Sequence, residues 1–364
     1  MRVNLNDVEA LLKLDTIDAL GDTYNYDKQF SEGYELAKSF QIEPLKRQVD
    51  EIVMCGTGGG SMASVNLLKS YLFDEIKVPI ILNQGYTIPA FVDQNTLVFI
   101  MTHSGNTEEI ISCYKQAIDR GAQIIVLTAG GTVKEMAEKH GHPMLNVPGG
   151  MMPRIVLGYI FLPVLVILHK LGLVSDPEEP LRETISLFSK LKDEYGVQSP
   201  IEKNPAKQIA FEMDGLIPVV YGTLPLTDSV AWRFKNQLGE NSKLMAFWNA
   251  IPALHHDEAV GWDADSAMLK QFHFTLIRDA EDSEKNSKRI TITAEILRER
   301  AGAVREVTTI GNSRMARLFS AIYLFDFVTL YLPLMRGVDP TPVDVLNIFK
   351  AKMGQPQLFV SRRS

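Results

Sequence analysis

Four short apolar runs, separated by segments that can form helices, constrain the fold of the first half of the chain. The runs do not alternate apolar with polar residues, which is typical of strands buried on both faces. Helices between such strands provide the crossovers that parallel pairing requires, so the pattern predicts a parallel sheet covered on both faces. The runs are 51–55, 78–82, 96–100 and 123–127, with a shorter fifth run at 144–147 and helices at 62–73 and 107–120.

The same alternation restarts after residues 196–205, a polar segment that contains two prolines and one glycine. Such a composition is typical of a connection between domains. We therefore predict an α/β fold of two tandem doubly wound parallel-sheet domains, residues 1–198 and residues 199–364, with a helical amino-terminal segment. Further strands are predicted at 217–221, 243–247, 272–277 and 304–308, and further helices at 226–238 and 287–300.

Charge and cysteine content limit the classes of function. The 364 residues include 37 Lys and Arg against 44 Asp and Glu, and the resulting net charge of −7 excludes a nucleic-acid binder that depends on bulk positive charge. Two cysteines, Cys55 and Cys113, are too few for a disulfide framework or a cysteine-based zinc cluster. Their scarcity favours a reducing compartment.

Two long apolar stretches, 155–168 and 318–332, are candidates for membrane spans. Pro163 interrupts the first and Asp326 the second, and neither reaches the ~18 uninterrupted apolar residues of a spanning helix. The amino terminus has no apolar core of the secretory type. We therefore expect buried or interface helices, a cytoplasmic location and no membrane partner.

A glycine-rich turn follows the first predicted strand and leads into a predicted helix. Glycines allow backbone N–H groups to approach a ligand closely, and the amino terminus of a helix favours an anion. A tight connection without a ligand explains the same pattern, so the turn alone is weak support for a phosphate site. The turn is Gly56-Thr57-Gly58-Gly59-Gly60-Ser61, in which Gly59, Gly60 and Ser61 are the candidate phosphate-binding residues.

Three hydroxyl side chains follow the third predicted strand, from Thr102, Ser104 and Thr107. Hydroxyl and amide groups suit a sugar phosphate, which must be held and then released. An ordinary cap of the following helix, with two glutamates in its first turn, is the alternative. The loops after two strands of one parallel sheet converge on one crevice, and this coincidence favours a binding site.

These segments resemble a known family. The glycine-rich turn and the Ser-Gly-Asn-Thr-Glu segment at 104–108 look like the sugar isomerase (SIS) domain, and two such domains in tandem look like phosphoglucose isomerases. The second half is similar to the bifunctional phosphoglucose/phosphomannose isomerases of archaea and bacteria. The similar segments are 233–243 (Arg-Phe-Lys-Asn-Gln-Leu-Gly-Glu-Asn-Ser-Lys), 251–261, and Pro340-Thr341-Pro342 with Phe349-Lys350.

Three departures from the family pattern bear on substrate preference more than on reaction class. The first loop has one extra glycine. Thr102-His103 stands where Ser-Tyr is more usual, and Ala253-Leu254-His255 replaces the commoner Glu-Leu-Asn.

The resemblance implies an aldose–ketose isomerase that converts glucose 6-phosphate, and also mannose 6-phosphate, to fructose 6-phosphate through a cis-enediolate. It implies Glu240 as the base at C1 and C2, His256 as the ring-opening group and Lys350 as its assistant. Arg154, whose guanidinium group is always charged, would stabilise the enediolate. The expected partner is a small sugar phosphate, with no metal and no cofactor. The resembled enzymes are homodimers with shared active sites.

Some residue assignments stay open on the sequence. His255 is adjacent to His256 and competes for its role, as Lys352 does with Lys350. The contiguous segment 255–258, His-His-Asp-Glu, also contains residue types that bind metals, although no further ligand motif accompanies it.

Two other functions compete with the isomerase. The first is a non-catalytic SIS-domain sugar-phosphate sensor or regulator, which usually carries an attached DNA-binding module. No basic helix-turn-helix is apparent here, and Glu240, His256 and Lys350 are all present. The second is a glucosamine-phosphate synthase of the amidotransferase type, whose glutaminase domain has no counterpart in this sequence.

Overall fold

Two parallel sheets organise the chain, each inside its own compact unit of the computed structural model, which describes residues 2–354. Residues 28–181 form the first-sheet unit, and the residues before 28 and after 181 form the second-sheet unit. Residues 2–27 and 182–198 thus pack with the second sheet, whereas the predicted boundary at residue 198 placed them with the first. That domain boundary stays a prediction, and residues 355–364 of the second predicted domain lie outside the described residues.

The described residues contain fifteen α-helices and nine strands. The helices are α1 (Val8–Leu14), α2 (Ala19–Tyr24), α3 (Tyr26–Ser39), α4 (Ala63–Tyr71), α5 (Glu108–Asp119), α6 (Gly131–His140), α7 (Gly158–Lys170), α8 (Glu178–Tyr195), α9 (Pro205–Met213), α10 (Thr227–Glu240), α11 (Leu254–Asp257), α12 (Ser266–Leu269), α13 (Glu284–Arg300), α14 (Arg314–Met335) and α15 (Asp344–Lys352). The strands are β1 (Glu51–Cys55), β2 (Ile80–Asn83), β3 (Thr96–Thr102), β4 (Gln123–Thr128), β5 (Met144–Asn146), β6 (Ile217–Thr223), β7 (Phe247–Ile251), β8 (Phe272–Arg278) and β9 (Ala303–Thr308).

The first sheet has the strand order β2-β1-β3-β4-β5, and every pairing is parallel. All seven residues of β3 are buried, which agrees with a strand covered on both faces. The order reverses between β1 and β3. The loops after these two strands therefore lie at the switch point of the sheet, the usual ligand position in doubly wound folds.

The second sheet repeats this arrangement, with the parallel order β7-β6-β8-β9. The predicted tandem parallel-sheet fold is therefore confirmed. The prediction for one strand was wrong, because β7 begins at Phe247, where the sequence analysis ended it. Its register is fixed by pairing Phe247 with Val219 of β6. Residues 243–246 instead form a loop after α10, in which Lys243 has a φ of 57°.

The two apolar stretches are core helices. Helix α14 has 22 residues and is long and apolar enough to cross a membrane, but its apolar window is entirely buried within the described chain. In α7 every residue from Gly158 to Leu168 is buried. Both helices are thus buried, which agrees with the expectation of buried helices. The alternative expectation of interface helices is wrong, because neither helix offers an apolar surface to a second subunit.

Candidate active site

The glycine-rich turn forms a single turn of π-helix, Gly58–Met62, between β1 and α4. Residues 59–61, the candidate phosphate-binding residues, are buried there. A Cβ atom at Gly60 would lie 2.2 Å from the carbonyl oxygen of Pro153, so only glycine fits. The turn is therefore held against the backbone at Pro153.

Arg154 follows in the same short 3-10 turn, Pro153–Ile155, which packs against the glycine-rich turn. Its side chain is buried, with only 4% of the residue exposed. A guanidinium is always charged, so Arg154 adds a permanent positive charge to this region of the unit. The structure thus brings together Arg154 and the first candidate phosphate loop, which the sequence had related only through the family resemblance.

The second loop follows β3 and precedes α5. The Thr102 and Thr107 hydroxyls lie 3.1 Å apart, and the backbone N–H of Gly105 donates to Thr102 Oγ1 at 3.3 Å. Thr107 is the N-cap residue of α5, yet its side chain makes no capping hydrogen bond. The ordinary-cap alternative is therefore wrong for Thr107, and no cap from its side chain competes with an anion for the first N–H groups of α5.

A glycine also fixes this second loop. Gly105 has a φ of 72°, and a Cβ atom there would lie 1.6 Å from the carbonyl oxygen of Gly130. Asn106 Oδ1 accepts hydrogen bonds from the backbone and the hydroxyl of Thr132, both at 3.0 Å. Ser104 is left exposed at the tip of the loop. The hydroxyl-bearing segment is thus rigidly attached to the loop after β4.

The two loops are neighbours. A Cβ atom at Gly56 would lie 3.1 Å from Cβ of Ser61 and 3.6 Å from the carbonyl oxygen of Met101, the residue before Thr102. Next to Thr102, His103 hydrogen-bonds the carbonyl of Pro148 at 3.0 Å, and burial lowers the pKa of His103. The two loops are therefore close to each other in the first-sheet unit, and their convergence on one binding crevice stays a prediction.

Glu240 is the last residue of α10, in the second-sheet unit. Acidic side chains are unfavourable at a helix carboxyl terminus, which carries partial negative charge. Glu240 borders an open cavity of about 870 Å³, together with Asn236 and the loop 243–246. A carboxylate kept at an unfavourable position on a ligand-sized cavity is more typical of a functional group than of a solvated helix end.

Lys243 closes the helix end beside Glu240, a role that the sequence analysis did not assign. Its Nζ donates to the carbonyl oxygens of Glu240 at 2.6 Å and Pro340 at 2.8 Å. Its positive φ is uncommon for a residue with a side chain and is typical of functional segments. Its place at the end of the 233–243 motif was the signal available in the sequence.

His255 and His256 lie together on the short helix α11 but have different surroundings. His255 Nε2 lies 2.9 Å from the Thr293 hydroxyl, and its ring packs edge-on against Trp262. Burial and the nearby charge of Arg289 lower the pKa of His255. His256 is exposed. His255 therefore belongs to the packing of its own unit, and His256 is the histidine that is accessible to a substrate.

The same segment is anchored at its other end. Glu258 accepts hydrogen bonds from the Tyr221 hydroxyl and from Asn249 Nδ2, the latter at 2.7 Å. Within residues 2–354, no three His, Cys, Asp or Glu side chains are grouped so that they could hold a metal ion. The contacts of His255 and Glu258 go instead to neutral side chains of their own unit.

His256 and Glu240 lie on opposite faces of the second sheet. Leu254, at the start of α11, packs with Ile290 and Leu297 of α13. Helix α10 connects β6 to β7 on one side of the sheet, and α13 connects β8 to β9 on the other. Right-handed crossovers in these two directions place α10 and α13 on opposite faces. Glu240 and His256 therefore belong to helices on different sides of the second sheet.

Lys350 lies on α15, whose first residues border the same cavity as Glu240. Lys350 is half-buried, whereas its competitor Lys352 is exposed. No residue of α15 is buried, and apolar side chains such as Val345 and Phe349 are 81% and 60% exposed. Neither Lys350 nor His256 is among the described residues that border the cavity.

Known proteins resemble this chain over nearly its whole length. A family described as the bacterial phospho-glucose isomerase C-terminal SIS domain matches residues 202–353. The chain is 39% identical to the bifunctional phosphoglucose/phosphomannose isomerase of Caldicellulosiruptor bescii, over 91% of this chain and 98% of the relative. A relative of the same name from Aquifex aeolicus is 33% identical, over 83% of this chain and 90% of its own length.

A solved structure supports the fold. The crystal structure of a glucose-6-phosphate isomerase like protein from Thermus thermophilus matches with a TM-score of 0.56 at 19% identity, over 89% of this chain and 97% of that one. Sequence similarity and the two parallel sheets, which share the order of four strands, agree. The chain belongs to the family of bifunctional phosphoglucose/phosphomannose isomerases.

Proposed function

We propose that this protein interconverts glucose 6-phosphate and mannose 6-phosphate with fructose 6-phosphate. The position of Glu240 is the observation that carries the proposal. A carboxylate at a helix end borders a cavity of about 870 Å³, within the range of about 300–1,000 Å³ of small-molecule sites. Isomerisation needs such a base, because a proton must move between C1 and C2 of the opened sugar.

The phosphate of the substrate would bind at the two loops of the first-sheet unit. Residues 59–61 offer backbone N–H groups at the start of α4, and Thr102, Ser104 and Thr107 offer hydroxyls at the start of α5. This combination suits a phosphate, because amide and hydroxyl donors hold an anion at a helix amino terminus. Arg154 would stabilise the negative oxygen of the enediolate, as a charge that is never lost.

Ring opening and proton transfer would use three further groups. His256 would donate a proton to the ring oxygen and remove one from the C1 hydroxyl, with Lys350 assisting. Glu240 would then take the proton from C2 of the open aldose, leaving a cis-enediolate, and return it to C1. The C2 hydroxyl would lose its proton and the C1 oxygen would gain one, which gives the ketose. Glucose and mannose differ only at C2, and that stereocentre is lost in the enediolate. One site can therefore process both epimers.

We also propose a cytoplasmic homodimer with shared active sites. The exposure of His256, and its place on the opposite sheet face from Glu240, support a histidine that completes the site of a second subunit. Two free buried cysteines agree with a reducing compartment. The partner surface is not α7 or α14, because both are buried within the chain.

A coupled assay tests the proposal. Each 6-phosphate sugar is offered separately, and fructose 6-phosphate is detected; a parallel reaction in D₂O measures deuterium at C1 and C2. We expect turnover of both aldoses and deuterium incorporation, since the transferred proton exchanges with solvent on Glu240. Glu240→Gln should abolish turnover while calorimetric binding of the sugar phosphate persists.

The matched control is Glu295→Gln, an exposed glutamate on α13 of the same unit. It should keep full activity. Binding of both sugars without any turnover by the wild-type protein would favour the sensor alternative. Near-normal turnover by folded Glu240→Gln would refute the assignment of the base.

A further inference from the structure

One carboxylate lies buried in the middle of the most apolar long helix. Asp326 of α14 is 2% exposed, and every residue of this helix from Met315 to Met335 is buried. Burying an ionised carboxylate is strongly unfavourable unless it is paired and hydrogen-bonded. Asp326 therefore needs partners, and its surroundings show what they are.

Three side chains converge on Asp326. Oδ2 accepts hydrogen bonds from the Tyr26 hydroxyl at 2.6 Å and from Arg233 Nη2 at 2.7 Å. Oδ1 accepts from Gln237 Nε2 at 3.4 Å. The side chains of Asp326 and Arg233 are each 2% exposed, so this ion pair is shielded from water. Two of the three partners, Arg233 and Gln237, belong to α10.

These two residues share a helix face with Glu240. Positions 233, 237 and 240 are spaced by four and three residues, which places them along one side of α10. Burial alone would lower the pKa of Arg233, but the negative charge of Asp326, with a smaller contribution from Glu240, raises it. Glu240 therefore shares a side of α10 with the residues that hold this helix to α14.

The end of α10 has a second attachment to α14. Asn241 Nδ2 donates to the Thr329 hydroxyl at 3.0 Å, and the Ser242 hydroxyl donates to the Thr329 carbonyl at 2.7 Å. Thr329 lies one helical turn after Asp326. The last two turns of α10 are thus tied to α14 on both sides of Glu240, while Glu240 itself borders the cavity.

We infer that the buried pair Asp326–Arg233, with Thr329, positions Glu240 for proton transfer by fixing the carboxyl-terminal turns of α10. Asp326, Arg233 and Thr329 are positioning residues and do not touch the substrate. The inference rests on the proposed role of Glu240 as the base. A purely structural role is the competing explanation, because a buried ion pair can also serve to specify how two helices pack.

The same helix provides a matched control. Arg317, near the start of α14, pairs with Asp279 at 3.1 Å, and the side chains are 5% and 2% exposed. The Thr309 hydroxyl also donates to Asp279, at 2.6 Å. This control pair is similarly buried and does not involve α10, and its Arg317 also pairs with the half-exposed Glu281. A structural role predicts the same kinetic effect for both pairs.

The experiment compares two double variants of the full chain. The test variant is Arg233→Met with Asp326→Asn, which removes both charges and keeps an acceptor for Tyr26. The control variant is Arg317→Met with Asp279→Asn. Thermal unfolding establishes that each is folded, and kcat and KM are measured with fructose 6-phosphate.

We expect kcat of the test variant to fall about 10²-fold, the usual effect of misplacing a catalytic group by about 1 Å, with KM nearly unchanged. The control should keep its kcat.

A milder substitution covers the case in which the test variant fails to fold. Thr329→Val preserves the shape of the side chain and removes the acceptor of Asn241. Its kcat should fall about tenfold at constant KM, as expected for one lost hydrogen bond. An unchanged kcat in Thr329→Val, or equal losses in the test and control variants, would overturn the inference. If Glu240→Gln stays active, the proposed base itself fails, and that outcome is read independently of the pair.

Discussion

Gly60 offers the sharpest test of the proposed phosphate loops, because its environment leaves no room for a side chain. A Cβ atom at this position would lie 2.2 Å from the carbonyl oxygen of Pro153, which is backbone and cannot rotate away. To reach an ordinary separation of about 3.4 Å, the glycine-rich turn and the Pro153–Ile155 turn must move apart by about 1.2 Å. Gly60→Ala therefore displaces the turn that would hold the phosphate, and with it Arg154.

The expected size of the effect follows from this displacement. A shift of about 1 Å in a binding or catalytic group costs about 10²-fold in rate, and overpacking costs about 1–3 kcal/mol of stability. We expect kcat/KM for a hexose 6-phosphate to fall about 10²-fold in Gly60→Ala, mainly through a higher KM. The coupled isomerase assay measures the kinetics, and thermal unfolding measures the stability.

Two glycines nearby serve as controls. Gly58 has a φ of 71°, but a Cβ atom there would meet nothing within 4 Å, so Gly58→Ala adds backbone strain without displacement. Gly85 has free space and no positive φ, so Gly85→Ala should be neutral. If Gly60→Ala keeps a kcat/KM within about threefold of Gly58→Ala, the link between the packed turn and phosphate binding is refuted.

Three further predictions concern the histidines, metals and assembly. Burial lowers the pKa of His255, so its neutral form favours the folded state; the free energy of unfolding should fall as the pH drops below about 6.5, and His255→Gln should weaken this slope in urea titrations. Incubation with EDTA should leave isomerase activity intact, whereas a loss restored by zinc would support a metal at 255–258. Co-expressed Glu240→Gln and His256→Ala chains, each inactive alone, should form mixed dimers that recover activity toward half the wild-type rate; mixed dimers without activity would contradict a shared site.

Most of the fold is predictable from the pattern of apolar runs. The strands β1, β3 and β4 begin at the predicted residues 51, 96 and 123, because continuous burial on both faces leaves an uninterrupted apolar run. The short motifs also predicted the family, and the 39% identity to a known member confirms that prediction. Strand β7 was misplaced because Leu-Met-Ala-Phe at 244–247 is as apolar as the true strand. Residues 243–246 form a loop instead, in which the Lys243 side chain bonds the carbonyl oxygens of Glu240 and Pro340. The sequence does not show these bonds.

The site is less predictable, because its determinants are separated along the chain. The sequence indicates Arg154 only by resemblance, and the contact of its turn with Gly60 appears only in three dimensions. Asp326 looks like an interruption of an apolar stretch, although it is the acceptor that joins α14 to α10. The sequence does show that Asp326 is a lone carboxylate in an apolar stretch. It cannot show that its partner is Arg233, which lies 93 residues away.

The two sheets share the order of four strands, so the different residues in their loops can be compared position by position. At the switch point of the first sheet, glycines and hydroxyls line the loops after β1 and β3. In the second sheet the loop after β8 holds Asp279, whose carboxylate already bonds Arg317 and Thr309. A carboxylate in that place repels a phosphate and occupies the donors that would bind it. The catalytic candidates of the second sheet therefore lie elsewhere, with Glu240 on one face and His256 on the other, and this separation supports the proposal that a second chain completes each site.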